Sequence, residues 1–188
     1  MFNEGGCNKH PSFFYRRKCF FASCTITAEK KGEAMGILTE LEPKNVFRYF
    51  EEISAIPRGS GDTQAMTEYL VQFAIDHNLD AIADEEGNVI MKKPGSEGYE
   101  ESDIVILQGH MEMVCAAAPG VAHNFETDPI TLAIEDDYIT AVGTTLGGDD
   151  GIAVAYMLAI LDDDTIAHPP LECVFTIGIS SLINSVFI

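Results

Sequence analysis

Positive charge is scarce in this sequence. Its 188 residues contain 11 Lys and Arg against 30 Asp and Glu, which gives a net charge of −19 at pH 7. A surface with this excess of carboxylates repels a phosphate backbone, so the composition argues against nucleic-acid binding. Such a surface attracts cations, metal ions included, although we expect most of these carboxylates to be solvated surface groups.

Long apolar runs and a regular cysteine framework are also missing. No run approaches the roughly 18 residues that a membrane helix needs, so we predict no association with a membrane. The cysteines are odd in number and irregularly spaced, which argues against a disulfide framework and favours a reducing compartment, the cytoplasm. They are Cys7, Cys19, Cys24, Cys115 and Cys173.

The charges that are present are unevenly distributed. Residues 1–34 hold six of the 11 basic residues and only three of the 30 acidic ones, and they show neither helical nor strand periodicity. Met35 opens a segment of different character. We interpret residues 1–34 as a disordered extension that precedes the folded domain.

Apolar spacing predicts alternating helices and strands. One helix runs from Pro43 to a break at 57–61, a second is capped by Asp62 or Thr63 and ends near 77–78, and a third covers 152–161. Strands are predicted over 79–83, 88–92, 104–107, 131–134, 138–142 and 171–177. The run at 104–107 is continuously apolar, as in a strand buried on both faces. The alternation favours an α/β fold with a mostly parallel sheet covered on both sides.

The first candidate functional residues follow the strand at 104–107. Open α/β sheets place their sites outside the carboxyl ends of strands, and His110 lies two residues beyond this one. In extended backbone His110 and Glu112 point to the same side, where an imidazole and a carboxylate can act as a metal ligand and its supporting partner. The alternative is a hydrogen-bonded histidine with a purely structural role.

The second candidate is Asp149, in the glycine-rich loop 147–151 that leads into the third helix. Its carboxylate could bind a divalent cation at the mouth of this loop, where the flanking glycines allow close backbone approach. The alternative is an N-cap, in which Asp149 or Asp150 accepts the first free N–H groups of the helix. The loop lacks the lysine and the glycine spacing of a phosphate-binding loop.

These segments resemble one known family. Residues 108–114, Gln-Gly-His-Met-Glu-Met-Val, are similar to the H-x-D-M-V segment of M20-type metallopeptidases. The strings at 121–125, 128–130 and 143–151 follow the order and spacing of the aminoacyl-histidine dipeptidases, also called cytosolic non-specific dipeptidases. The G-T-T-L-G-x-D-x-G string at 143–151 is specific to this branch. The resemblance covers about residues 35–177 and implies a three-layer α/β/α zinc-peptidase catalytic domain.

The resemblance also implies roles for the candidate residues. His110 would bind one zinc ion and Asp149 would bridge two, so that a complete site holds two Zn²⁺ that polarise a peptide carbonyl and activate water. Glu112 stands where the family has the Asp that orients the zinc-binding histidine, and is the catalytic candidate. A Glu is one methylene longer, so the same contact needs a shifted backbone or a different rotamer. We assign His123 a structural role only.

One family motif is missing. After the strand at 171–177 the family continues to T-x-x-E-E-x-G, which supplies the general base and a zinc ligand, whereas this sequence continues Ile177-Gly178-Ile179-Ser180-Ser181. Residues 178–188 form an apolar tail that resembles nothing in the family. We therefore expect a truncated N-terminal fragment of the catalytic domain, with each metal offered at most two ligands where a catalytic zinc needs about three.

The functional expectation follows from the resemblance. The complete enzyme would be a cytoplasmic zinc-dependent dipeptidase that hydrolyses dipeptides, including Xaa-His types, with a homodimer as a possible assembly. This chain is expected to be inactive. The alternative is a non-catalytic binding or interaction module that retains the peptidase fold without its chemistry.

Overall fold

The computed structural model describes residues 36–178. The predicted extension at 1–34, and all of the predicted tail except Gly178, lie outside the described residues. The proposed domain boundaries therefore stay predictions. No helix in the described range is long and apolar enough to cross a membrane.

The three helices form where the apolar periodicity places them. They are α1 (Lys44–Ser54), α2 (Gln64–Asp76) and α3 (Gly148–Asp162). α1 buries Val46, Phe50 and Ile53, and α2 buries Met66 and Leu70 on the same kind of stripe. Thr63 occupies the N-cap position of α2 without a side-chain capping bond, so the cap is positional only.

The six described strands also match the predicted runs closely. They are β1 (Asp80–Ala83), β2 (Val89–Lys93), β3 (Val105–His110), β4 (Leu132–Glu135), β5 (Tyr138–Ala141) and β6 (Leu171–Thr176). The predicted hairpin is confirmed, because β4 and β5 pair antiparallel as a separate two-stranded sheet. The other four strands form one sheet in the order β1-β2-β6-β3.

The main sheet is mixed, so the predicted mostly parallel arrangement is not confirmed. Only β3 and β6 are parallel, whereas β1–β2 and β2–β6 are antiparallel. The reason lies partly in the short β1–β2 connection, since a tight turn can join only antiparallel strands. The carboxylate of Asp84 closes this turn by accepting hydrogen bonds from the N–H groups of Glu86, Gly87 and Asn88 at 2.9–3.0 Å.

The helices cover one face of the main sheet. α1 contacts α2 through Tyr49 and Phe73, whose ring centroids are 5.6 Å apart, and α2 contacts α3 through His77 and Asp162. Alternate residues of the central strands, such as Met91 and Cys173, are fully buried beneath this layer. Because side chains alternate along a strand, their neighbours face the opposite, more open side. The predicted three-layer arrangement therefore stays a prediction.

β3 is not buried on both faces as its apolar run suggested. It is an edge strand of the main sheet, and Ile106 remains 64% exposed. Continuous apolar sequence is the mark of a strand with neighbours on both sides and layers on both faces, and β3 has β6 on one side only within the described region. Burial increases toward its end, where Gly109 is buried and His110 half-buried.

The end of β3 lies beside the end of β6. The two strands are parallel, with His110 opposite Thr176, and the Met111 N–H donates to the Thr176 carbonyl at 2.8 Å. Parallel strands end at the same edge of a sheet, so the residues that follow both strands share that edge. α3 packs against β3, which places the loop before α3 at the same edge.

A buried lysine holds the far end of α3. Lys93 Nζ donates to the Leu161 and Asp163 carbonyls at 3.0 and 2.9 Å and contacts the exposed Asp164 carboxylate at 3.0 Å. The last carbonyls of a helix have no partners within the helix and carry partial negative charge, so a cation there is favourable. The lysine on β2 thus ties the sheet to the helix.

We predict that Lys93→Met lowers the free energy of unfolding by about 2 kcal/mol, because charge-assisted hydrogen bonds to buried carbonyls are lost. The matched control is Lys92→Met, which removes an exposed ion pair with Glu172 and should cost less than about 1 kcal/mol. Urea denaturation measures both. Equal losses in the two variants would contradict the assigned role of Lys93.

Candidate metal centre

The structure brings His110 and Asp149 together. His110 ends β3, and its Nε2 lies 3.3 Å from Oδ1 of Asp149, which belongs to the start of α3. The next residue, Asp150, accepts a hydrogen bond from the His110 main-chain N–H at 3.3 Å. The two consecutive carboxylates therefore both face the last residue of β3, one at its ring and one at its backbone.

The other ring nitrogen of His110 has an acceptor as its partner. Nδ1 lies 3.0 Å from the main-chain oxygen of Glu112, and a carbonyl can only accept a hydrogen bond. Nδ1 therefore carries the proton, and in the neutral ring the Nε2 lone pair faces Asp149. Two acceptors that face each other at 3.3 Å repel unless a cation, either a proton or a metal ion, lies between them.

Asp149 does not cap α3. The chain has a kink at Asp149 and Asp150, beyond which helical dihedral angles resume at Gly151, and no main-chain N–H of the first turn of the helix donates to the Asp149 carboxylate within the described residues. Asp149 has non-helical dihedral angles, φ −91° and ψ 108°, and its side chain is 97% exposed. Its carboxylate points at His110 and at solvent, so the capping interpretation does not describe this residue.

The His110–Asp149 pair fits a zinc ion. Zinc binds histidine nitrogen and carboxylate oxygen at about 2.0–2.2 Å with tetrahedral geometry, which separates two ligand atoms by roughly 3.4 Å. The observed separation of 3.3 Å is close to this value. The pair supplies two ligands, and no group of three His, Cys, Asp or Glu suited to a metal occurs between residues 36 and 178.

Glu112 and His123 are placed differently from His110. The contact between Glu112 and the His110 ring is made by the Glu112 main-chain oxygen, so the orienting role predicted for its carboxylate stays a prediction. His123 packs edge-on against Phe125, with ring centroids 4.4 Å apart. That contact agrees with a structural histidine.

A glycine lets α3 approach the end of β3. A Cβ on Gly109 would lie 3.0 Å from the Asp150 carboxylate, 3.2 Å from the Ala153 Cβ and 3.2 Å from the Met157 Cε. A side chain here would require these neighbours at the start of α3 to move by a few tenths of an ångström. Gly109 is therefore part of what sets the His110–Asp149 distance.

Sequence reasoning missed one residue at this site. Arg58 follows α1 in a segment that the sequence marks only as a helix break, yet its side chain is 2% exposed. Its guanidinium donates to the Met111 carbonyl at 3.2 Å and to the Gly147 carbonyl at 2.7 Å. Burial lowers the pKa of Arg58 to about 10, so the side chain stays charged at neutral pH. The sequence marks Arg58 only as a cation that lies between apolar residues and a glycine.

Comparison with solved structures first defines the class. The chain shares its fold with an aminopeptidase from Bacillus cereus (TM-score 0.61, 22% identity, 77% of this chain and 39% of that one). It also shares it with a tripeptidase from Staphylococcus aureus (TM-score 0.58, 24% identity, 73% and 37%). The described region therefore has the α/β fold of a group of peptidases. No protein-family profile matches the sequence.

The branch follows from two closer matches. The chain is 36% identical over 142 residues to the cytosol non-specific dipeptidase of Escherichia coli K12, covering 76% of this chain and 29% of that protein. Its fold matches the aminoacylhistidine dipeptidase of Vibrio alginolyticus with a TM-score of 0.75 at 36% identity. The resemblance to the aminoacyl-histidine dipeptidases, predicted from the sequence motifs, is confirmed. The chain spans about 30% of the length of these relatives.

We predict that Gly109→Ala lowers the free energy of unfolding by about 1–3 kcal/mol, because the added methyl group overpacks the contact between α3 and β3. Gly148→Ala is the control: its Cβ meets only Leu146, at 3.5 Å, and the expected change is within about 0.5 kcal/mol. Urea denaturation of both variants tests this. A Gly109→Ala protein as stable as the parent would contradict the close approach.

Proposed function

We propose that this chain carries the zinc-binding His–Asp pair of a cytoplasmic, zinc-dependent dipeptidase that in complete form hydrolyses dipeptides, Xaa-His dipeptides included. One observation carries the proposal: His110 Nε2 and the Asp149 carboxylate face each other at 3.3 Å at the carboxyl edge of the sheet. His110 and Asp149 are 39 positions apart in sequence, and the fold of the dipeptidase relatives supports their pairing.

Each residue of the site has a distinct part in this proposal. His110 offers its Nε2 lone pair to the metal, and the Glu112 carbonyl keeps the proton on Nδ1, which fixes that tautomer. The solvent-exposed carboxylate of Asp149 has a second oxygen free to bridge to a second ion. When bound, zinc supplies Lewis-acid polarisation of the peptide carbonyl and activation of water.

The substrate class is proposed from the relatives. The Escherichia coli protein is named as a cytosol non-specific dipeptidase and the Vibrio protein as an aminoacylhistidine dipeptidase. These names support a short peptide as substrate, a histidine in its second position and a cytosolic site of action. A homodimer stays a prediction.

We also propose that the chain is inactive by itself. Thr176 ends β6 directly opposite His110, so Ile177, the next residue, emerges at the edge that holds His110 and Asp149. The sequence there is Ile-Gly-Ile-Ser-Ser, which offers neither a carboxylate base nor a further carboxylate ligand. Loss of a general base alone reduces a rate by about 10²–10⁴.

A non-catalytic interaction module is the second candidate. The exposed apolar side chains of Ile104 and Ile106 favour it, because β3 is an edge strand in the described part of the chain and an apolar edge is a surface on which another chain can pack. Such a module needs no metal, so zinc binding separates the two candidates.

We predict that zinc binds the purified 188-residue chain and that His110→Ala and Asp149→Asn each weaken its affinity more than about 100-fold. Loss of a direct ligand should exceed the effect of losing an outer-sphere partner, which is about 10–100-fold. Isothermal titration calorimetry with zinc measures the dissociation constants. His123→Gln is the control and should bind zinc as the parent does; equal binding by all four proteins would refute the pair as ligands.

We further predict no hydrolysis of Ala-His by the zinc-loaded chain above a zinc-only blank, because residues 36–178 offer the site neither a general base nor a third ligand. The assay measures the release of free histidine by chromatography. Metal-dependent turnover at ordinary enzymatic rates, about 1–10³ s⁻¹, would overturn the inactivity proposal.

A further inference from the structure

Arg58 links the two chain segments that carry His110 and Asp149. Its Nη1 donates to the carbonyl of Met111, the residue directly after His110, at 3.2 Å. Its Nη2 donates to the carbonyl of Gly147, two residues before Asp149, at 2.7 Å. One side chain from the α1–α2 connection is therefore bonded to the backbone on both sides of the site.

The guanidinium group is suited to fixing a distance. It is planar and rigid, and its donors form a fork of constant geometry, so two carbonyls bonded to it are held at a set separation. A flexible ammonium or an apolar side chain would not impose this separation. Each carbonyl is within two residues of a proposed ligand. The guanidinium therefore constrains the backbone positions of His110 and Asp149.

Close packing holds the fork itself in place. A Cβ on Gly147 would lie 2.7 Å from Arg58 Nη2, and one on Gly151 would lie 2.6 Å from the same atom. Gly147 also has a positive φ of 68°, which side chains rarely adopt. The backbone before and at the start of α3 thus lies against the guanidinium, and a side chain at either position would require the guanidinium to shift.

Stability alone accounts poorly for Arg58. Within the described residues, both hydrogen bonds of its guanidinium go to main-chain carbonyls and not to a carboxylate, and its Nε is buried without a hydrogen-bond partner. A buried charge carries a large desolvation penalty, which hydrogen bonds to two carbonyls offset only in part. A residue that is expensive to bury and bonded at two functional segments is better explained by a positional role.

We propose that Arg58 is a positioning residue for the metal site, which acts by setting the separation of His110 and Asp149 and so raises the affinity for the divalent cation. The inference rests on the proposed zinc-binding function. Arg58 touches neither ligand side chain; it acts through the Met111 and Gly147 carbonyls.

The backbone of the same residue keeps the segment in place when the side chain changes. The Arg58 carbonyl accepts a hydrogen bond from the Met113 N–H at 2.9 Å, and Gly59 and Met113 form a parallel bridge. These bonds do not depend on the guanidinium. Side-chain variants at this position are therefore expected to fold, with the loop before α3 less firmly placed.

The test compares two buried cations bonded to opposite ends of α3. Arg58→Met and Arg58→Lys loosen the end near the metal pair, whereas the control Lys93→Met loosens the other end, about 20 Å away along the 15-residue helix. For each full-length variant, calorimetry with zinc gives the dissociation constant and urea denaturation gives the free energy of unfolding. If zinc affinity falls only because the fold is less stable, the Arg58 and Lys93 variants should lose affinity alike. If Arg58 positions the ligands, only the Arg58 variants should lose affinity.

We expect Arg58→Met to weaken zinc binding by about 10–100-fold, the range for lost outer-sphere support, and Arg58→Lys to fall between it and the parent. Lys93→Met should keep the affinity of the parent despite its lower stability. If Arg58→Met does not fold, Arg58→Lys decides by the same comparison. Parent-like affinity in the folded Arg58 variants overturns the inference, as does an equal loss in Lys93→Met. Absence of zinc binding by the parent instead overturns the proposed function.

Discussion

The parallel pairing of β3 with β6, together with the packing of α3 against β3, is the constraint on which the rest of the structure depends. It places the ends of two strands and the start of a helix at one edge of the sheet. The absence of a side chain at Gly109 brings the helix within contact distance of the strand. Two residues 39 positions apart in sequence, His110 and Asp149, meet there as a result.

The chemical character of that edge follows from unmatched acceptors. A carbonyl fixes the proton on one nitrogen of His110, so the other nitrogen presents its lone pair to a carboxylate. Such an arrangement is unfavourable alone and favourable around a cation, and the excess of negative charge in the sequence adds to that preference. Three separate observations are therefore consistent with a cation between His110 and Asp149. They are the relationship to the dipeptidases, the ligand separation expected for a tetrahedral ion and the local electrostatics.

Sequence patterns predicted local structure better than pairing. The periods of α1 and α2 and the β4–β5 hairpin were readable because each depends on neighbours close in sequence. The direction of β2 against β6 and the exposure of Ile106 depend on distant segments, which the pattern does not encode. The site pair was found through motifs. Arg58 was not, because an arginine beside a helix break gives no sign that its guanidinium is buried.

Among residues 36–178 no strand pairs with the outer edge of β3, and this has a consequence for how the protein behaves in concentrated solution. One side of the strand carries backbone donors and acceptors that β6 does not use, next to the exposed side chain of Ile106. Two copies meeting edge to edge could extend the sheet across the contact. At neutral pH the charge of −19 keeps copies apart, but salt screens this repulsion and acid near the isoelectric point of about 4.3 removes it. The negative charge of the protein therefore opposes the tendency of two copies to associate through the β3 edge.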